Sequence, residues 1–375
     1  MKLSAFLLSI CSLAAAVAAS PAMEPRSTTF YKGHDLSSTK MLEDSGYTYY
    51  TTAGKEADIE DILGDGGMNT VRLRLWVTDD GTYGLNYNLE LAKRFYKAGY
   101  NIYLDFFFSS TWADPSKQYI PTGWPTTLSK LETKLRSYVK STLVAFDDAG
   151  VELAIISLGN EITAGMLWPL GRVDVSLSET KRIANFSNFA NLWMAARNGV
   201  TDAVSAGVTQ PKVMIHLDDG YDEDKQGTWY WTLMKTGIVT TDDWDLIGVS
   251  FYPFYGTSAT FSNLKASLNY LGSVYSKPML VVETDWPMSC SGVTLSESSI
   301  PISVAGQTTW VKDIVSLMKK LDDSLGVGVF YWEPGFMNNS ALGSSCSDNL
   351  LFSADWDDWP EVTSTARSSV NMFSS

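Results

Sequence analysis

Leu153-Ala-Ile-Ile-Ser-Leu-Gly-Asn-Glu161 is a run of strand-forming apolar residues that leads directly into a glutamate. A second stretch of this kind, Met279-Leu-Val-Val-Glu283, lies further along the chain. In a parallel α/β barrel, polar side chains at the carboxyl ends of buried strands face the active-site mouth. A single strand-end glutamate more often pairs with a neighbouring Lys or Arg. Two of them in aromatic surroundings favour a catalytic carboxylate pair.

Strand-like runs and helix-period segments alternate along the whole chain. The strand-like runs cover 28–32, 70–76, 102–107, 153–158, 212–217, 247–252, 279–283 and 327–332. The amphipathic segments between them include 89–98, 128–149, 183–206, 264–275 and 307–321. Eight buried runs that alternate with helices predict an α/β fold, a (β/α)8 TIM barrel in a single domain. A doubly wound open sheet is the alternative, but no glycine-rich phosphate-binding motif follows the first run.

The first residues have the pattern of an export signal. Lys2 precedes an apolar run over 3–17, and small residues follow as far as Ala19. This pattern predicts a cleaved signal peptide over 1–19, and the run is too short to span a membrane. No linker or low-complexity block interrupts the remainder, so we expect one catalytic domain over 20–375. We expect the mature protein to be secreted and extracellular.

Charge and aromatic content bound the choice of partners. The chain carries 42 acidic and 28 basic residues, for a net charge of −14, which makes nucleic acid and anionic membranes poor partners. It also contains 13 Trp, 18 Tyr and 16 Phe. Trp and Tyr rings at strand ends offer flat apolar faces with a polar edge, which suit sugar rings. Nothing in the sequence selects an oligomeric state, and we take a monomer as the default.

Cysteine and histidine usage agrees with an exported protein that needs no metal. Removal of Cys11 with the signal peptide leaves Cys290 and Cys346, which we predict to form a disulfide; two free thiols are the alternative. His34 and His216 are the only imidazoles, and no Cys, His and acidic residues cluster at metal-ligand spacing. We therefore expect neither a metal nor a cofactor.

Polar side chains on the second and fourth predicted strands are candidates for the site. Arg72, Arg74 and Trp76 alternate along one strand, so they share a face, either towards the lumen or towards the helices. An inward arginine below a carboxylate would hold it ionised, whereas a structural ion pair is the competing interpretation. Asn160 either hydrogen-bonds a sugar hydroxyl beside Glu161 or caps the strand.

Later strand ends carry further candidates, each with an alternative. Tyr252 is placed to orient the carboxylate of the seventh strand, unless its hydroxyl has another partner. Trp332 is placed to form the floor under a sugar, unless it packs in the core. His216 is either a substrate contact or a hydrogen-bonded strand-end residue. Glu333 should face away from Trp332, which favours a structural role.

Several motifs, in order over essentially the whole mature chain, resemble those of the arabinogalactan endo-β-1,4-galactanases, glycoside hydrolase family 53. They are Asn69-Thr-Val-Arg-Leu-Arg-Leu-Trp76, Thr111-Trp-Ala-Asp-Pro115, Gly159-Asn-Glu-Ile162, Gly165-Met-Leu-Trp-Pro169, Met214-Ile-His-Leu217, Gly248-Val-Ser-Phe-Tyr-Pro-Phe-Tyr255, Glu283-Thr-Asp-Trp-Pro287, Gly306-Gln-Thr-Thr309 and Tyr331-Trp-Glu-Pro334. The resemblance implies a retaining enzyme with Glu161 as acid/base and Glu283 as nucleophile. It implies β-1,4-galactan of pectin as the polysaccharide substrate. The substrate-binding residues would be Arg72, Trp112, Asn160, His216, Asp218, Tyr252, Trp286 and Trp332.

Some positions depart from the family pattern. The family's third strand usually continues Asp-Phe-His-Tyr-Ser-Asp, where this chain has Asp105-Phe-Phe-Phe-Ser-Ser110. Asp219 and Tyr221 stand where Asn and Trp are common, and Asp285 where Asn is common. Each hydroxyl of the substrate left unpaired would cost about 1–3 kcal/mol. A divergent hydrolase for another β-linked polysaccharide is therefore an alternative to the galactanase. A non-catalytic glycan-binding barrel is a third, although such a barrel has no need of paired carboxylates.

Two triplets match the acceptor pattern for N-glycosylation. They are Asn185-Phe-Ser187 and Asn338-Asn-Ser340. The pattern suits an exported chain, although such short triplets also arise by chance.

Overall fold

The computed structural model describes residues 30–78, 81–336, 345–357 and 359–374. The predicted signal peptide lies outside these residues and remains a prediction. None of the helices in the described ranges is long and apolar enough to cross a membrane.

Eight parallel strands close into a barrel, which confirms the predicted fold. In order around the barrel they are β1 (Tyr31–Asp35), β3 (Thr70–Leu75), β4 (Asn101–Phe106), β5 (Leu153–Leu158), β6 (Lys212–Leu217), β7 (Leu246–Ser250), β8 (Met279–Glu283) and β9 (Gly326–Tyr331). The first strand lies further along the chain than the predicted 28–32. The other strands overlap their predicted runs closely, because a run buried on both faces is apolar throughout.

Helices form the outer layer. They are α1 (Thr39–Asp44), α2 (Ile59–Asp65), α3 (Leu85–Lys97), α4 (Leu128–Asp148), α5 (Glu179–Ser205), α6 (Glu223–Lys235), α7 (Phe261–Tyr275) and α8 (Val304–Met318). In α4 the buried residues Leu131, Leu135 and Val139 recur every four positions, which places one apolar stripe against the barrel. The predicted helical segments all correspond to helices, whereas α1, α2 and α6 were not among them. The first turn of α6 is polar and Gly227 follows it directly, so the helical period of this segment is weak.

A small additional sheet was not predicted. It consists of β2 (Tyr47–Tyr50), β10 (Phe352–Asp355) and β11 (Val362–Ala366), in the order β10-β11-β2. The buried ring of Tyr49 contacts the ring of Phe352 at 5.2 Å between centroids. The strands are short and come from opposite ends of the chain, so their pairing has no local sequence signal.

The barrel interior changes character along its axis. Its lower part is an apolar cluster that consists of Tyr103, Ile155, Met214, Leu246, Leu280, Val282 and Phe330. Gly33 makes room for this cluster, because a Cβ there would lie 2.1 Å from the Phe330 ring. Above it the strands contribute the fully buried Arg72, Arg74 and Asp105. The charged layer therefore lies directly below the carboxyl ends of the strands.

The predicted disulfide between Cys290 and Cys346 is confirmed. It joins the loop after β8 to the segment after β9, two parts of the chain that are 56 residues apart.

Candidate active site

A cleft of about 630 Å³ opens at the carboxyl ends of the barrel strands, and Glu161 and Glu283 both line it. The other lining residues are Phe107, Trp112, Ala113, Asp114, Pro115, Ser116, Lys117, Asn160, Asp218, Asp219, Ser250, Tyr252, Phe254, Tyr255, Asp285 and Trp332. The two predicted catalytic carboxyls therefore share one cavity. Their environments within it differ.

Both oxygens of Glu283 are held in place. The Arg72 guanidinium lies 2.6 Å from Oε1, and the Tyr252 hydroxyl donates to Oε2 at 2.8 Å. Burial raises the pKa of Glu283, while the charge of Arg72 and the hydrogen bond from Tyr252 oppose that rise. Glu283 therefore has two partners that stabilise its ionised form.

Arg72 lies beneath the cleft and does not line it. It is fully buried and contacts Asp35 at 2.6 Å, Asn160 Oδ1 at 2.9 Å, and also the carboxylate of Asp105. The substrate-binding role predicted for Arg72 therefore stays a prediction, and the burial of its side chain favours an indirect role through Glu283. Its side chain is enclosed by these carboxylates, and its position is that of the inward arginine below Glu283.

Glu161 follows β5 in a strained conformation. Its φ of 46° is in the left-handed region, which is uncommon for a residue with a side chain and clusters at functional sites. The preceding Asn160 secures this turn, because its Nδ2 donates to the carbonyl of Ala113 at 2.8 Å and its own carbonyl accepts from Gln118 at 2.7 Å. The turn presents the half-buried Glu161 side chain to the cleft.

The surroundings of Glu161 favour its protonated form. Burial raises its pKa well above the ordinary value, and the charges of Glu283, Asp218 and Asp114 add to the rise. The nearby Ser250 hydroxyl opposes this rise in pKa. In contrast to Glu283, the charged groups that act on Glu161 are all negative. Glu161 is thus the carboxyl suited to hold a proton while Glu283 is ionised.

Five of the predicted substrate-binding residues line the cleft. These residues are Trp112, Asn160, Asp218, Tyr252 and Trp332. The rings of Trp112 and Trp332 lie 6.3 Å apart in an edge-on arrangement, so two indoles form one wall. Asp218 accepts from Lys225 at 3.1 Å through Oδ2, while its Oδ1 has no partner among the described residues.

The other two predicted contacts, His216 and Trp286, are fully buried away from the cleft surface. The Trp286 nitrogen donates to the carbonyl of Pro301 at 2.9 Å, and its ring packs on Trp310 between the β8 loop and α8. His216 Nε2 lies 2.9 Å from the Ser250 hydroxyl. The substrate-binding role predicted for both residues stays a prediction, and the enclosure of each side chain by protein favours an indirect role.

The departures from the family pattern divide into two groups. Phe107 lines the cleft against Trp112, with 6.2 Å between ring centroids. Phe108 instead stacks on Phe106 within the protein, and Ser110 lies outside the cleft lining. Only the first of these three changes therefore alters the cleft surface.

Asp219 and Asp285 are the other departures that reach the cleft, whereas Tyr221 does not. Asp219 pairs with Lys225 at 2.7 Å. Asp285 lies just behind the surface, where burial and the nearby Glu283 raise its pKa well above the ordinary value. Two conspicuous cleft residues, Ser250 and Tyr255, were missed as site residues, although both lie within the Gly248–Tyr255 motif.

Asp105, His216 and Glu283 could each offer a metal-ligand atom, and these atoms lie within 4.8 Å of one another. The Arg72 guanidinium already bonds both carboxylates and supplies the compensating positive charge. The two carboxylates are therefore already held in a closed ion-pair network with Arg72, which is not an open coordination site.

The two glycosylation predictions remain untested. Asn185 lies in the second turn of α5, where its side chain accepts from Asp174 at 2.7 Å and donates to the carbonyl of Arg172 at 3.2 Å. Asn338 lies outside the described residues.

Together the closed parallel barrel and the carboxyls on its fourth and seventh strands define the architecture of a barrel glycosidase. Comparison with known proteins makes the assignment specific. Residues 31–363 match Glycosyl hydrolase family 53, and the chain belongs to that family.

The chain is similar to curated fungal proteins over most of their length. It is 43% identical over 328 residues to the arabinogalactan endo-β-1,4-galactanase of Thermothelomyces thermophilus, covering 86% of this chain and 95% of that one. It is 43% identical over 334 residues to arabinogalactan endo-β-1,4-galactanase A of Aspergillus niger, covering 88% and 91%. A solved fungal β-1,4-galactanase superposes with a TM-score of 0.83 at 40% identity, covering 92% and 98%.

Proposed function

We propose that this protein is a secreted, retaining endo-β-1,4-galactanase that cleaves (arabino)galactan side chains of pectin. The observation that carries the mechanism is the contrast between two carboxyls in one cleft. Glu283 is paired with Arg72 and Tyr252, whereas Glu161 is surrounded by negative charge. The similarity to named galactanases over most of the chain supports the substrate.

The first step uses both carboxyls. The Glu283 carboxylate attacks the anomeric carbon as the glycosidic C–O bond breaks, and Glu161 gives its proton to the leaving oxygen. A covalent ester then joins the sugar to Glu283, so that its negative charge is lost. Because that charge helped to hold the proton on Glu161, ionisation of Glu161 becomes easier in the intermediate.

The second step reverses the roles. Glu161, now ionised, removes a proton from water, and the water oxygen attacks the anomeric carbon. The ester bond breaks and Glu283 leaves as a carboxylate. Arg72 and Tyr252 stabilise the charge that returns to Glu283. The anomeric configuration is retained because each step inverts it once.

The cleft walls suit a neutral polysaccharide. Trp112, Trp332 and Tyr255 offer aromatic faces, while Asn160 and Asp218 offer polar groups for sugar hydroxyls. The disulfide between Cys290 and Cys346 supports an oxidising, extracellular location.

One observation favours a second candidate, a hydrolase for another β-linked polysaccharide. Phe107 gives the cleft wall beside Trp112 an apolar surface. A sugar hydroxyl directed at this ring has no partner there, so the ring selects against substrates that place a hydroxyl at that point.

Product analysis on several polymers tests both candidates. Purified wild type, Glu283→Gln and the exposed-site control Asp148→Asn are incubated with linear β-1,4-galactan, xylan, mannan, β-glucan and β-1,3-galactan. We expect galactan oligosaccharides from wild type and the control, and none from Glu283→Gln. Cleavage of a different polymer that Glu283→Gln abolishes would establish the second candidate. Binding without cleavage of any polymer would contradict both.

A further inference from the structure

An arginine–glutamate pair below the cleft has no role in the steps above. Arg74 of β3 is fully buried, and its guanidinium bonds the carboxyl of Glu333, the residue that follows Trp332. The guanidinium also donates to Ser38 Oγ at 3.0 Å, and Ser38 donates in turn to Glu333 Oε1 at 2.7 Å. The pair is therefore fixed by a third side chain, and it connects β3 to the segment after β9.

Arg74 lies directly beneath one wall of the cleft. Its guanidinium carbon is 4.8 Å from the centroid of the Trp112 ring and 4.1 Å from the centroid of the Tyr83 ring. Both distances are those of a cation–π contact, which is stronger when the cation is removed from water. The Trp112 ring is half-buried and lines the cleft. This ring therefore connects a buried positive charge to the space in which a sugar would bind.

Glu333 connects the same charge to the second indole of this wall. Its φ of 42° is in the left-handed region, where residues with a side chain are uncommon and cluster at functional sites. The preceding Trp332 lines the cleft, whereas Glu333 is 2% exposed and contacts Arg74. The rings of Trp332 and Trp112 lie 6.3 Å apart. Arg74 thus contacts one indole directly and is bonded to the neighbour of the other.

We propose that Arg74 and Glu333 are positioning residues that fix Trp112 against Trp332 and thereby set how well the cleft binds a sugar ring. This inference rests on the proposed function, in which this wall binds a polysaccharide. Rings that are already held in place bind better, because ordering a mobile side chain on binding costs free energy. Without the guanidinium, the orientation of Trp112 would depend on contacts with neighbouring rings such as Trp76, at 5.3 Å between centroids.

A double-mutant cycle tests whether the pair acts through Trp112. Arg74→Met with Glu333→Gln replaces both partners, because loss of one alone would leave the other buried without its partner. This pair change is made in wild type and in Trp112→Ala, and kcat/KM is measured on a β-1,4-galacto-oligosaccharide. The matched control is Arg136→Met with Asp202→Asn, which removes an exposed ion pair between α4 and α5.

We expect the pair change to lower kcat/KM about 10-fold in wild type and less than about 2-fold in Trp112→Ala, where the ring through which it acts is absent. The control should lower kcat/KM less than about 2-fold in both backgrounds. A purely structural role would add its full cost to that of Trp112→Ala. An equal loss from the pair change in both backgrounds, or no loss in either, would therefore overturn the proposal.

Arg74→Lys provides the same test if the pair variant does not fold. It keeps a positive charge opposite Glu333 but replaces the planar guanidinium beneath the Trp112 ring with a compact ammonium. Denaturant titration of each variant checks that the fold is retained. We expect Arg74→Lys to lower kcat/KM about 3-fold in wild type and to have no further effect in Trp112→Ala. Equal losses in the two backgrounds would again overturn the positioning role.

Failure of this inference is distinguishable from failure of the proposed function. Cleavage of galactan by wild type, with independent effects of the pair change and Trp112→Ala, would overturn the positioning role alone. Absence of galactan cleavage by wild type would overturn the proposed function. The same cycle, measured as dissociation constants for the polymers of the panel, would then decide the positioning role: coupling between the two changes supports it, and independent effects or an absence of binding overturn it.

Discussion

At the scale of single residues, the two catalytic candidates differ in what surrounds them and not in chemical type. Glu283 is bonded by a guanidinium and a phenol, whereas the charged groups that raise the pKa of Glu161 are negative. A glutamate has the same ordinary pKa at both positions, so the neighbours decide which carboxyl is favoured in the ionised form and which in the protonated form. A substitution that removes one neighbour of either glutamate should therefore shift one limb of the pH profile of kcat/KM.

Tyr252→Phe tests the environment of Glu283. The change removes a hydroxyl that donates to Oε2 at 2.8 Å. A hydrogen bond to a charged group is worth about 1.5–3 kcal/mol, so kcat/KM on galactan should fall about 10- to 100-fold. The pKa of Glu283 should rise, because its ionised form loses a donor, and the acidic limb of the kcat/KM profile should move to higher pH. Tyr270→Phe on the surface of α7 is the control, and an unmoved acidic limb in Tyr252→Phe would contradict the argument.

At the scale of elements, the strand ends place the site and glycines allow the strands to meet. Glu283 is the last residue of β8, and Glu161 follows β5 through a short turn that contains Gly159. Inside the barrel, Gly33 of β1 faces the Phe330 ring of β9. The register of these strands therefore depends on the absence of a side chain at position 33.

Gly33→Ala should weaken the contact between β1 and β9. The added Cβ would lie 2.1 Å from a ring carbon of Phe330, so the ring must move within a packed interior. Overpacking of this kind costs about 1–3 kcal/mol in the free energy of unfolding, which denaturant titration measures. The double variant Gly33→Ala with Phe330→Ala should cost less than the sum of the two single changes. Additive costs would show that the two positions do not clash.

At the scale of the whole molecule, buried acidic groups and one covalent link set the conditions in which the fold is stable. Asp35, Asp105, Glu283 and Glu333 share the buried guanidinium groups of Arg72 and Arg74 below the cleft. Acids therefore outnumber bases in this layer. Some of these carboxyls must hold a proton or remain charged at a cost in stability.

Glu333 provides a test of this cost. Burial raises its pKa from 4.5 to about 7, even though Arg74 opposes the rise. A carboxyl whose pKa is higher in the folded state stabilises the fold at low pH, and that stability is lost as the pH rises through 4.5 towards 7. The loss is up to about 3 kcal/mol. Glu333→Gln should show a smaller fall in unfolding free energy over this interval, as measured by denaturant titration at several pH values. Parallel curves for wild type and variant would refute the assignment.

The disulfide contributes to stability across the whole chain. Cys290 and Cys346 close a loop of 56 residues, and the chain-entropy model assigns about 4 kcal/mol to a loop of this size. Cys290→Ser with Cys346→Ser should lower the unfolding free energy by an amount of this order, and reduction of wild type should have the same effect. Equal stability of the oxidised protein and the double variant would contradict this model. It would show that removing the disulfide does not increase the conformational entropy of the unfolded chain.

The sequence alone determined the features that depend on local order along the chain. The alternation of apolar runs and amphipathic segments predicted the parallel barrel, and the ends of its strands pointed to Glu161 and Glu283. Both signals are local, because the apolar residues of buried strands and helices recur in a regular pattern along the chain. The tertiary structure decided the features that depend on distant partners: the small sheet built from both ends of the chain, the enclosure of Arg72, and the inward positions of His216 and Trp286. Each of these is set by packing between segments far apart in sequence, for which no single stretch carries a signal.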